Sequence, residues 1–146
     1  MSVERPHGQY YQYLGWSLDA VNKASGRVER ALGTAKGDIT SLTPDRILGA
    51  AEQADKALAW LAAAERYRER NRGAVPESAH MDALEAAREL EIGTQVLRRV
   101  SVLVSDKDIA QDPSGRAAIV NGLESGKLQY QSTRWLLDSA LHGTPA

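Results

Sequence analysis

"YQYLGWSLDAVNKASGRVERALGTA", residues 11–35, decides the fold. Tyr11, Leu14, Leu18, Val21, Ser25, Val28, Leu32 and Ala35 follow one another in alternating steps of three and four. That spacing returns a side chain to the same face of an α-helix once per turn, here for about seven turns. A helix over 9–36 is predicted, ended by Gly37. Ser25, in the middle of the stripe, is small enough to admit a close neighbour.

The same stepping recurs three times. "SLTPDRIL", residues 41–48, restarts the chain with Thr43 as N-cap, Pro44 at the first helical position and Asp45 at the positive helix end. Ile47, Ala51, Ala54, Leu58 and Leu61 then mark a helix over 44–72, stopped at Gly73. Only "GAV" precedes Pro76, which opens a third helix over 76–105 with Ala83, Ala87, Leu90, Thr94 and Leu97 on its stripe. Within it "VLRRVSVLV", residues 96–104, is apolar on two sides and so central, and its β-branched run is where a strand competes. "SDKDIAQDPSG", residues 105–115, reads as a loop with Asp112 capping and Pro113 opening a fourth helix over 113–141. Its stripe is Ile119, Leu123, Gly126, Tyr130, Thr133, Leu137 and Ala140. Gly122 and Gly126 either allow close helix contact or break the element at Gly126. Four helices on short links predict an all-α fold, an up-and-down four-helix bundle in a single domain over 1–146.

Composition narrows the function classes. The chain has 146 residues, 42% hydrophobic and 25% charged, enough to bury a core without staples. A formal net charge of −1 sets up no global attraction to nucleic acid or an anionic membrane. The absence of cysteine excludes disulfides, thiolate metal sites and cysteine nucleophiles. "MSVERPHGQ" lacks the apolar core of a signal peptide and no membrane-length apolar run occurs, so a cytoplasmic location is expected. Abundant Ala and Arg suggest a GC-rich bacterial genome.

The aromatic residues are placed unevenly. Four of the chain's aromatics, Tyr10, Tyr11, Tyr13 and Trp16, fall in seven consecutive positions. At about 100° per residue, Trp16 lies with Gln12, Asp19 and Lys23, nearly opposite Leu14 and Val21. Trp60 shares a side with Lys56, Ala64 and Tyr67, and Trp135 lies near Leu128 and Gln131. All three tryptophans miss the main stripe. Either these helices are buried on two sides, or the aromatics form a contact surface, for which Trp and Tyr are suited. On the second reading Tyr10, Tyr13, Trp16, Trp60, Tyr67, Leu128 and Trp135 are the contact candidates. Tyr11 and Leu14 then serve the core, with Tyr10 and Tyr13 on the flank.

In an up-and-down bundle, one end gathers the starts of helices one and three and the finishes of two and four. His7, Glu77, His80 and His142 all fall there, as candidates for a small-molecule site. Glu77 and His80 have the E-x-x-H spacing of di-metal bundles, and Glu65 can lend a carboxylate, but the set is incomplete and neither metal nor cofactor is expected. "DKDIAQD" lacks the glycine and distal glutamate of a calcium loop. No G-x-S-x-G, P-loop or dinucleotide fingerprint occurs. Arg66, Arg68, Arg70 and Arg72, with Arg98 and Arg99 on the next helix, are candidates for gripping phosphates, with Tyr67 placed to stack on a base. Against this, Glu65 and Glu69 are interleaved with them.

Three functions therefore stand as expectations. The first is a non-enzymatic interaction or assembly subunit that pairs with itself or another protein. The second is a helical subunit contacting RNA or DNA in a ribonucleoprotein. The third is a small-molecule or catalytic site at the Tyr- and His-rich end.

Overall fold

The computed structural model describes residues 8–73 and 75–142. Its helices are α1 (Gly8–Gly37), α2 (Pro44–Arg70), α3 (Glu77–Ser105), α4 (Lys107–Gln111) and α5 (Pro113–His142), with a 3-10 turn at Ile39–Ser41. Among the described residues there is no strand. The β-branched run at 96–104 is helical because Leu97, Val100 and Val104 are buried from a single helix face, and that packing overrides a weak local preference. No helix among the described residues is long and apolar enough to cross a membrane.

The joints are built by local hydrogen bonds. Pro44 opens α2 with Asp45 in its first turn, but Thr43, although at the N-cap, makes no side-chain cap bond. At the other end α2 stops at Arg70, two residues earlier than predicted. The Asn71 side chain donates to the Tyr67 carbonyl (2.8 Å), and Gly73 turns the chain with φ of 83°. Pro76 precedes α3 as its N-cap, and its carbonyl accepts from the His80 N–H (3.1 Å). The segment predicted as a loop holds the short α4 instead. Asp106 makes this possible by accepting from the Asp108 and Ile109 N–H groups, and Asp112 caps α5 by accepting from those of Ser114 and Gly115.

Each long helix packs chiefly on two others, in the cycle α1, α2, α3, α5. The pairings run in opposite directions throughout. Ser17 Oγ donates to the Ala57 carbonyl (2.9 Å), and further along α1 the Arg27 guanidinium lies over Gly49. Between α2 and α3, Asp55 meets Arg98 (2.6 Å) and Glu65 meets His80 (3.2 Å). Between α3 and α5, Asp82 accepts from Ser139 (3.0 Å) while Val100 lies over Gly122. Lys36 at the end of α1 reaches Glu124 on α5 (2.9 Å).

The core stripe of α5 is the predicted one, all seven residues buried, and the helix continues through Gly126. On α1 the prediction needs correction. Leu14, Val21, Ser25, Val28, Leu32 and Ala35 are buried as predicted, but Tyr10, Ser17, Ala24 and Ala31 are buried with them, while Tyr11 and Leu18 are only partly covered. Tyr10, Leu14, Ser17, Val21, Ala24, Val28, Ala31 and Ala35 form a second run of fours and threes. Its small members let α2 approach, and α2 replies with buried Ala50, Ala54, Ala57 and Ala64. Leu58 and Ala87, predicted on stripes, are likewise only partly buried.

One hydroxyl pair sits deep in the core. Tyr130 and Thr94 share a 3.1 Å hydrogen bond, and the Thr94 hydroxyl also reaches the Leu90 carbonyl (2.7 Å). Burial pushes the Tyr130 hydroxyl up to about 12, the bond to Thr94 opposing it in part. Tyr10 is raised further, again chiefly by burial. Both phenols therefore hold their protons more tightly folded than unfolded. Stability should be steady below about pH 10 and fall as pH rises toward 12, where only the unfolded chain loses these protons. Tyrosinate absorbance in an alkaline titration should rise together with loss of helicity for these two residues. Early, non-cooperative ionisation of all five tyrosines would contradict it.

Candidate contact face and the Tyr10 end

The register between α1 and α2 creates an aromatic cluster. With Ser17 bonded to the Ala57 carbonyl, the next turn of α2 brings Trp60 against Tyr13 and Trp16. The Trp16 and Trp60 ring centroids are 4.7 Å apart with planes tilted by 53°. Tyr13 stacks on Trp60 at 5.9 Å and meets Trp16 edge-on at 5.8 Å. Gln9 steadies it from one turn earlier by donating to its hydroxyl (2.7 Å). Trp16 remains 39% exposed and Trp60 37%, so mutual contact does not take either into the core. Asp19, Lys23, Gln53 and Lys56 border the two tryptophans and set charges of both signs around them.

The other contact candidates separate from this cluster. Trp135 is 71% exposed on α5, beside Leu18 and Asn22 of α1, and Leu128 is 64% exposed on the same helix. Tyr67 is partly buried against the core. Tyr10 was expected on the flank as a contact residue; it is 1% exposed and belongs to the core, because its stripe rather than that of Tyr11 faces inward. The meeting of Trp16 with Trp60 was not legible, since it depends on the stagger between two helices.

The Tyr- and His-rich end also differs from expectation. His7 lies outside the described residues. His142 is exposed and pairs with Asp138 one turn back (3.1 Å). Glu77 and His80 share a face but not a partner. Glu77 is exposed and faces Arg68 at 4.0 Å, whereas His80 is buried with Nδ1 3.2 Å from Glu65, out of line for a hydrogen bond. Among the described residues no three His, Cys, Asp or Glu side chains converge as metal ligands do. What collects there is Tyr10, Glu65 and His80, with the Tyr10 hydroxyl buried and without a hydrogen-bond partner among the described residues.

The arginines are partly engaged. Arg68 lies 3.7 Å from Glu65 as well as near Glu77, and Arg98 pairs with Asp55. Arg70 donates through Nε to the Arg66 carbonyl (3.3 Å). Arg66, Arg72 and Arg99 are exposed. Two of the six charges thus already face carboxylates, which weakens the footprint a phosphate backbone needs. Comparison with protein-family models, curated proteins and solved structures returns no match.

Proposed function

We propose that this chain is a single-domain, up-and-down four-helix bundle that acts as a self-associating assembly subunit rather than a catalyst. The observation that carries the reading is the exposed three-ring cluster of Tyr13, Trp16 and Trp60. Rings on adjacent helices, already packed on one another, present apolar area with little side-chain freedom left to lose on binding. Such preorganised aromatics are what the centre of an interface uses.

A second copy is the partner this face fits. A two-fold interface must complement itself, and Asp19 lies beside Lys23 and Lys56 around the rings. Two such faces meeting about a two-fold axis can set each carboxylate against the other copy's ammonium. The rings alone are smaller than a stable dimer's patch of about 800 Å² per partner, so these charged neighbours form the rim. Wild-type protein should sediment as a dimer at micromolar concentration. A monomer that persists to about 100 µM, an affinity weaker than most specific complexes reach, would overturn the reading.

A further inference from the structure

On a different face, between α2 and α3, runs a groove of about 280 Å³. Leu58, Leu61 and Ala62 form one wall and Ala83, Leu84 and Ala87 the other, with Tyr10 of α1 also lining it. From Leu58 to Glu65 it follows α2 for seven residues, about 10 Å. Its polar groups are confined to one end, where Glu65 stands beside Tyr10. We propose that this groove binds a small alkyl- or arylalkyl-amine, its ammonium held by Glu65 and Tyr10 and its apolar part lying along Leu58, Ala62 and Leu84.

Three observations select that chemistry. The walls are apolar over most of their length, so the body of the ligand must be too. Tyr10 is 1% exposed and, among the described residues, its buried hydroxyl lacks a hydrogen-bond partner, so a ligand donor that reaches it can satisfy its oxygen. Glu65 keeps acceptor capacity: its oxygens are 3.7 Å from Arg68 and 3.2 Å from His80, both longer than the 2.7–2.9 Å typical of charge-assisted bonds. The field at Tyr10 sets the sign of the head group. Glu65 and Asp82 both act to hold the Tyr10 proton, and Arg68 opposes them. A cation is therefore favoured there over a carboxylate. An ammonium can donate to Glu65 and to the Tyr10 oxygen together.

The test uses the whole chain with n-hexylamine, 1-hexanol and hexanoate, followed by NMR shifts and calorimetry. Hexylamine should bind saturably and move the Tyr10 and Leu84 resonances, at least about tenfold more tightly than hexanol, with hexanoate weaker still. Glu65→Gln should weaken hexylamine by about tenfold or more while leaving hexanol unchanged. Leu84→Trp, at an exposed wall position, should fill the groove and weaken all three. Equal affinity for amine and alcohol in the wild type would overturn the proposal, as would the lack of a saturable shift. Should Glu65→Gln fail to fold, the comparison of amine with alcohol on the wild type still decides. Dimerisation is read separately, so neither result substitutes for the other.

Discussion

Alanine placed together at Gly93, Gly122 and Gly126 should lower the stability of the fold by about 3 kcal/mol, whereas alanine at Gly26 and Gly33 should raise it by about 1 kcal/mol. Every one of these glycines is inside a long helix, where alanine is intrinsically preferred by up to about 1 kcal/mol. Their surroundings reverse the sign. A Cβ on Gly122 would stand 2.3 Å from Val100 Cγ2, one on Gly126 2.9 Å from Leu97 Cδ2, and one on Gly93 2.9 Å from Gln129 Cβ. Leu97 and Val100 are buried, and Tyr130, 3.0 Å from the Gly93 position, is fully buried. None of them can swing into solvent, so α3 and α5 must part. Overpacking of this kind costs about 1–3 kcal/mol per site, more than the helix preference returns. At Gly33 a Cβ meets nothing within 4 Å, and at Gly26 only the Arg30 guanidinium at 3.8 Å. Urea unfolding of the two variants beside the wild type reads both signs. A triple variant as stable as the wild type would mean that α3 and α5 are not in contact along these glycines.

That contrast shows which parts of the fold are legible in a sequence. The α5 stripe is read correctly because Leu123, Tyr130 and Leu137 recur at a single phase with Gly126 among them, where a partner helix would approach, while Leu128 and Trp135 fall off it. On α1 two phases compete. Tyr11 and Leu18 are larger than Ser17 and Ala24, so size places them on the stripe, although only its other six members are buried. The register with the alanines of α2 buries the small residues Ser17, Ala24 and Ala31 as well. The short α4 is lost to a different cause: a five-residue helix has too few turns for periodicity, and only Asp106 as a capping residue signals it. At the candidate sites, E-x-x-H spacing reports a shared face but not which neighbour each side chain meets. Glu77 and His80 go to Arg68 and Glu65 because α2 presents those two residues three positions apart.

Trp60→Ala should weaken self-association by about 2 kcal/mol or more, some thirtyfold in Kd, while Trp135→Ala changes it little. Trp60 is the ring that α2 contributes to the cluster: Tyr13 stacks on it and Trp16 leans against it from α1. Its removal therefore loses its own apolar area and releases Tyr13 and Trp16 from the orientation that makes them a single platform. Trp16→Ala should weaken association as well, although by less, since Tyr13 and Trp60 remain stacked. The monomer should survive these changes, because both tryptophans are more than one third exposed and the core beneath, Leu14, Ala57 and Leu61, is left whole. Trp135 is the internal control. It is more exposed than either at 71%, yet among the described residues no ring packs against it, and it sits on the α1/α5 side. If exposed apolar area alone drove association, Trp135→Ala would have the larger effect. If preorganised stacking drives it, Trp60→Ala will. Sedimentation equilibrium across a concentration series, with circular dichroism to verify the helices, distinguishes the two. A larger loss for Trp135→Ala would move the interface from the α1/α2 face to α5.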